Sequence, residues 1–262
     1  MATITEEKCS CGPSECDMFQ FMAKNLGIKV LHPGGLSATK LLAERCGVSE
    51  DMTILDAGCG SGSSSLFLAR QYECKVVGID IERDLLMKAE ARARKNRIEH
   101  KVAFRLADIN DLPFQDQTFD GAIFQASLIF TEKSKALQAV SKKICSQGFV
   151  GDIELAWKKE PLQNVVRKVQ NVLCSAAVNA EQHTNWIELL NKTGFNVVDA
   201  GLLDLDFNFR GMLKNEGFLS ALKVALKCIL NGEARKKTEA VTNLFKETRD
   251  YLGYGIYVGR KR

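Results

Sequence analysis

A chain of 262 residues, 45% of them hydrophobic and 26% charged, has the composition of an ordinary soluble protein, with room for one large α/β domain or two small ones. Its net charge of +4 is too small to argue for nucleic acid, and no stretch approaches the roughly 20 apolar residues of a membrane span. Nine cysteines without disulfide-framework spacing, behind a polar start carrying Glu6 and Glu7, point away from secretion and toward a cytoplasmic protein.

Residues 1–13 read as a mobile tail ending at Gly12-Pro13. Cys9, Cys11 and Cys16 could act as thiolate ligands, but tetrahedral zinc wants four ligands and only three cysteines lie close together, so no metal is expected. Ser14 to Gly27 reads as a short amphipathic helix with Phe19, Met22, Ala23 and Leu26 on one face. Leu31-His32-Pro33-Gly34-Gly35 is a turn, and a second helix from Ala38 to Cys46 ends at Gly47.

An alternating strand and helix pattern then begins at Thr53. Ile54-Leu55-Asp56-Ala57-Gly58-Cys59-Gly60-Ser61-Gly62 is an apolar strand ending in an acid, then three glycines at alternate positions, then a helix from Ser63. Missing side chains let a ligand approach the main chain, and the turn after the first strand of an α/β sheet is where nucleotide-like ligands sit. A dinucleotide fingerprint would need a third glycine where Ser63 stands, so nicotinamide cofactors are not expected. The second strand, Lys75 to Asp80, ends in a carboxylate able to accept bonds from two adjacent hydroxyls. The third runs from Val102 to Leu106, ahead of Asp108-Ile109, and the fourth from Phe119 to Phe124, ending at Gln125.

Gly58-x-Gly60-x-Gly62, with these four ordered elements across Thr53 to Glu154, resembles class I S-adenosylmethionine-dependent methyltransferases. The resemblance implies a Rossmann-like, seven-stranded α/β fold, S-adenosylmethionine as cofactor, and a binding site made by Asp56, Gly58, Cys59, Gly60, Gly62, Asp80, Ile81, Asp108, Ile109 and Gln125. In that family the acid at Asp108 meets the adenine amino group, and the apolar neighbour Ile109 packs on the ring.

Further along, the charged run Asp84 to Lys101 reads as the solvated face of a helix. A fifth strand, Gly148 to Leu155, follows Ser146-Gln147-Gly148, where many family members carry Lys-Pro-Gly-Gly. Helices are expected over Pro161 to Cys174 and Asn179 to Lys192, and further strands over Gly194 to Ala200 and Gly255 to Gly259. Residues 207–251 are helical in pattern and too long for a hairpin. Their apolar face of Phe209, Met212, Leu213, Phe218, Leu222, Leu226, Ile229 and Leu230 predicts a lid packed over the acceptor site. The resemblance thus implies one methyltransferase domain over residues 14–262, with an expected core at 50–156, 194–201 and 254–262 and an expected helical cap from 14–47, 157–192 and 207–251.

Three residues stand out as substrate candidates. His32 lies in a turn that several small-molecule methyltransferases place over the methionine end of the cofactor. Cys174-Ser-Ala-Ala-Val, with Thr193-Gly194-Phe195, is loosely similar to arsenite methyltransferases, whose cysteines bind arsenic; Cys228 belongs equally well to an apolar core pattern. His183, one turn before Trp186, could face the substrate or be a half-buried helix contact. Asp152 and Glu154 share one face of a strand, where a carboxylate could orient an acceptor or act as a base. Cys46, Cys74 and Cys145 read as small core hydrophobes and Cys59 as structural.

The expected activity is direct displacement of a methyl group onto a small-molecule acceptor. Alternatives are a thiol or metalloid methyltransferase, a protein-modifying one, or a non-catalytic S-adenosylmethionine-binding module. The Asn-Pro-Pro-Tyr type motif of base-modifying enzymes is absent; Gln125-Ala126-Ser127-Leu128 stands in its place. Neither a nucleic acid nor a membrane is an expected partner, and the oligomeric state is open.

Overall fold

A computed structural model describes residues 16–205, 213 and 218–262. Cys9, Cys11, the tail as a whole, Phe209 and Met212 therefore lie outside the described residues. The sheet contains β1 (Thr53–Ala57), β2 (Lys75–Asp80), β3 (Val102–Leu106), β4 (Phe119–Gln125), β5 (Ile144–Trp157), β6 (Glu181–Gln182), β7 (Phe195–Asp204) and β8 (Leu252–Lys261). Their order is β3-β2-β1-β4-β5-β8-β7, with the two-residue β6 beside the end of β5. The first five strands and β6 pair in parallel; β8 runs antiparallel to both β5 and β7. This is the Rossmann-like methyltransferase fold.

Side chains alternate across a strand, so each strand serves two cores. One face carries Leu55, Ala57, Ile79, Ala122, Phe124, Val150 and Tyr257; the other carries Ile54, Val76, Ile123, Phe149, Ile153, Ile256 and Val258. Burial on both faces explains the near-continuous apolar runs of β1 and β4. The helices are α1 (Asp17–Gln20), α2 (Gly35–Cys46), α3 (Ser63–Gln71), α4 (Arg83–Lys95), α5 (Lys133–Lys143), α6 (Gln163–Val172), α7 (His183–Lys192), α8 (Phe218–Leu230) and α9 (Gly232–Glu247).

Several elements depart from expectation. The first helix changes to π winding over Phe21–Leu26, closed by Gly27 bonding back to the Met22 carbonyl. The wider turn rotates the apolar face, so Met18, Phe21 and Leu26 are buried while Phe19, Met22 and Ala23 are half-buried. Asn179 to Lys192 is not one helix, because residues 181–182 pair with β5 before α7 begins. Cys46 and Cys74 are core residues, but Cys145 is half-buried, its thiol bonded to the Gln117 carbonyl at 3.0 Å.

The largest correction concerns α8. Phe218, Leu222, Leu226, Ile229 and Leu230 face outward, with Ile229 74% and Leu230 77% exposed, and Leu219 joins them. The helix instead buries Ala221 and Val224. It has two apolar stripes, and the stripe of smaller residues permits the closer approach. Lys227 fixes this orientation, its Nζ donating to the Asn25 and Leu26 carbonyls at 2.6 and 3.3 Å. No helix among the described residues is long and apolar enough to cross a membrane.

Candidate active site

The glycine loop joins β1 to α3 at the carboxyl end of the sheet. The backbone N–H groups of Gly58 and Cys59 both donate to the Ile79 carbonyl at 2.9 Å, tying the loop to β2. A side chain on Gly58 would collide with Ser127 Cβ at 2.6 Å, so only glycine lets the loop after β4 come this close. Gly62, at φ +74°, is wedged against Ala89 and Phe104, each 2.8 Å from where a Cβ would stand. Gly60 differs: nothing lies within 4 Å of its Cβ position, so the loop is open to a ligand there.

Gly60 N–H donates to Asp80 Oδ2 at 2.8 Å, and Glu82 N–H to Oδ1 at 2.9 Å. Each carboxylate oxygen retains a lone pair for a further donor such as a ribose hydroxyl. Asp56 is buried at the end of β1, accepts from Ser65 Oγ at 2.5 Å, and is pushed up to about 6 by burial. It braces α3 against β1. Cys59 packs its sulfur over Gly78, and burial, helped by the charges of Asp56 and Asp80, holds its thiol well above the usual range, disfavouring the thiolate. Ile109 is buried with its Cδ1 3.7 Å from the Gly58 Cβ position. Ile81 and Asp108 follow β2 and β3 with exposed side chains, and Asp108 Oδ1 accepts from the N–H and Nδ2 of Asn110.

Arg92 was hidden in the charged run of α4. Its Nη1 donates to Ser61 O at 2.8 Å, Ser61 Oγ at 3.1 Å and Ser63 Oγ at 2.9 Å, buttressing the glycine loop from outside. Its position among lysines and arginines gave no sign of this; only an inward phase on the helix, beside buried Ala89 and Ala93, marks it.

A second cluster forms around Gln125. Its Oε1 accepts from Thr39 Oγ1 at 2.6 Å and lies 3.2 Å from Ser64 Oγ, while its Nε2 is buried without a protein partner among the described residues. His32 Nε2 lies 3.1 Å from Thr39 Oγ1 and 3.3 Å from Ser64 Oγ. Since the Pro33 carbonyl can only accept, the 3.1 Å contact to His32 Nδ1 assigns the proton to Nδ1 and leaves Nε2 an acceptor. Burial lowers His32 to about 4, which keeps the ring neutral. Thus α2, the glycine-loop helix and β4 are joined by one buried polar network.

A third cluster lies on the other face of the sheet. Glu154 is buried at the end of β5, and its Oε1 accepts from the N–H groups of Ser127 at 2.7 Å and Leu128 at 2.6 Å. Ser127 Oγ in turn donates to the Ala57 carbonyl at 2.8 Å. Tyr257 pairs with Asp152 across β5 and β8, and its hydroxyl lies 3.1 Å from His183 Nδ1. Trp186 is buried as well, its Nε1 donating to the Leu155 carbonyl, so α7 contributes to both the core and this cluster.

Cys174 lies in the expected cap. It is buried beside Cys16, whose thiol lies 3.6 Å from the Leu173 carbonyl, and a hydrogen bond from Cys16 holds the Cys174 thiol below its usual value. Cys228 sits against Thr238 of α9. Among the described residues, no three His, Cys, Asp or Glu side chains are grouped as a metal site would require.

Residues 48–194 match the family model described as a methyltransferase domain, which places the chain in that family. It is a class I S-adenosylmethionine-dependent methyltransferase, and S-adenosylmethionine is its cofactor. Among relatives, an uncharacterized methyltransferase of Bacillus subtilis, YodH, is 29% identical over 72% of this chain and 79% of its own. The O-methyltransferase cnsE of Penicillium expansum is 27% identical over 85% of this chain and 77% of its own. In fold, the chain is similar to an S-adenosylmethionine-dependent methyltransferase of Geobacter sulfurreducens solved with S-adenosylhomocysteine (TM-score 0.70, 18% identity, 94% of this chain and 98% of that one).

Proposed function

We propose that the acceptor is a small molecule, methylated by direct displacement in a roofed site. The observation carrying this is the path of the N-terminal segment across the carboxyl ends of the strands. The Lys29 carbonyl accepts from Ser63 Oγ, at the start of α3, at 2.8 Å. Phe19 meets Phe130, after β4, edge-on at 5.7 Å. Lys227 then ties α8 to the same segment. Residues 16–47, 157–192 and the described part of 207–251 act as a cap, and a capped site suits a small acceptor and excludes a duplex.

S-adenosylmethionine supplies a methyl on a cationic sulfur and leaves as a neutral thioether. The residues therefore need mainly to align the partners, which can contribute ~7–11 kcal/mol to lowering a barrier. The open face at Gly60 and the remaining lone pairs of Asp80 fit the cofactor's ribose, with Gly58, Cys59 and Gly62 shaping the loop, Asp56 bracing it, and Ile81, Asp108 and Ile109 flanking the adenine. His32, held neutral, positions Gln125 so that its two Nε2 donors are available to the bound molecules. The roof excludes water.

The test is incubation of the protein with isotopically labelled methyl donor and a fractionated metabolite extract, with products separated by mass. Label is expected in a low-mass product. Label recovered only in protein or RNA would overturn the proposal.

A further inference from the structure

Asp152 and Glu154 are both 0% exposed, on the face of β5 that looks toward α5 and α7. Glu154 Oε1 has its two N–H donors, but among the described residues Glu154 Oε2 and both oxygens of Asp152 have none. Leaving such atoms unpaired in a low-dielectric interior is costly, so their position asks for a partner rich in donors.

Packed elements do not supply one. On α5, Lys133 Nζ is bonded to Glu181 at 2.8 Å and stacked 5.6 Å over Trp186. On α7, His183 turns its Nδ1 to Tyr257, and burial lowers its tendency to carry a proton. On β8, the Tyr257 hydroxyl rests over Gly255, the residue opposite Glu154, where any side chain would displace it. The carboxyl pair is also linked to the cofactor loop. Glu154 holds Ser127, and Ser127 presses on Gly58 of the cofactor loop and on Ala57.

We propose that Asp152 and Glu154 form the acceptor subsite and that the acceptor is an amine, entering as its ammonium ion. The inference rests on the small-molecule reading above. Once one carboxyl has ionised, two of the three unpartnered oxygens are plain acceptors; an ammonium brings donors for both and a positive charge, whereas a hydroxyl brings one donor and no charge. Charge points the same way. Without a cation, burial pushes Glu154 up to about 8 and Asp152 well above its ordinary value, so the empty pair keeps its protons. An ammonium ion restores the ionised form: R–NH3+ docks, and a carboxyl releases H+ to solvent. Before attack on the methyl, one proton passes from nitrogen to a carboxylate oxygen, giving R–NH2 and COOH, with no other bond changed.

The test uses the full chain loaded with S-adenosylhomocysteine. Calorimetry compares phenethylamine, benzylamine and ethanolamine with phenethyl alcohol, benzyl alcohol and ethylene glycol, in two buffers of different ionisation enthalpy near pH 7. The expected result is that at least one amine binds about tenfold or more tightly than its alcohol, with proton release, and that D152N and E154Q each lose this preference while still binding S-adenosylhomocysteine. Amines that bind no better than alcohols, or bind without releasing protons, overturn the inference from wild type alone, whether or not the variants fold. Variants that fold and keep the preference overturn it too. Methylation confined to hydroxyl, thiol or arsenite acceptors would overturn the amine assignment and leave methyl transfer itself standing. Absence of S-adenosylhomocysteine binding would instead strike the earlier reading.

Discussion

The two halves of the site treat buried polar atoms differently. Around the glycine loop the polar groups are mostly bonded within the protein, Asp56 to Ser65, Asp80 to Gly60 and Glu82, Ser61 and Ser63 to Arg92, with only Asn110 Oδ1, beside Asp108, left over among the described residues. Around β4 and β5, Gln125 Nε2, both Asp152 oxygens and Glu154 Oε2 have no partner among the described residues. The first half is a preorganised cradle that can await a constant ligand. The second is incomplete on its own, and its missing donors and acceptors describe what must enter.

The sharpest way to break this contrast is at the glycines. Gly62→Ala should cost about 2–5 kcal/mol of folding stability, combining ~1–2 kcal/mol for a left-handed residue with ~1–3 kcal/mol for overpacking against Ala89 and Phe104. Gly60→Ala, at φ +52° but facing open space, should cost only the ~1–2 kcal/mol backbone penalty while weakening S-adenosylhomocysteine binding about tenfold. Urea denaturation and calorimetry on both variants read the two effects; equal losses of stability would erase the distinction between scaffold glycine and ligand glycine.

The incomplete half should announce itself through pH. Glu154 is held above its ordinary 4.5, at about 8, so its contribution to stability is complete below pH 4.5 and lost as pH rises through 8. His32 has the opposite sign: its folded value of about 4 lies below 6.5, so its cost appears only as pH falls under 6.5. Between pH 6.5 and 8.5 the carboxyl pair therefore dominates this balance. Ligand-free wild type should lose on the order of 1–3 kcal/mol across that window, and E154Q clearly less. Parallel curves from denaturant titrations would show that the pair is already ionised and satisfied.

The smallest effect is expected at Arg92. Arg92→Ala removes three side-chain bonds to the outside of the loop and should weaken S-adenosylhomocysteine binding by ~1 kcal/mol, with little change in folding. An unchanged affinity would mean that the loop holds its shape without the buttress.

Local signals carried the parallel half of the sheet. β2 and β3 have the bounds that alternation and end-residues indicated, and the glycine run sits where a strand-to-helix turn was read. The network of His32, Thr39, Ser64 and Gln125 was only partly legible: His32 and Gln125 drew attention singly, but a hydroxyl on a helix carries no mark of the distant residue it will meet. The same holds for Cys16 and Cys174, brought together from opposite ends of the cap. For α8 the pattern was read with the wrong sense. Periodicity measures how apolar residues cluster around an axis; which of two stripes is covered depends on neighbouring surfaces, and there the small stripe of Ala221 and Val224 prevailed.

The position of β8 has a consequence for how the chain is made. It is the latest of the eight described strands in chain order, yet it lies between β5 and β7, and among the described residues β7 has no other strand partner. A nascent polypeptide therefore cannot finish its sheet from one side to the other. Until residues 252–261 are available, β5 presents a long open edge and β7 has nothing to pair with. Open edges of this kind recruit other chains. Protection during synthesis thus depends on how quickly a ten-residue strand, the last of the sheet to appear, is inserted between β5 and β7.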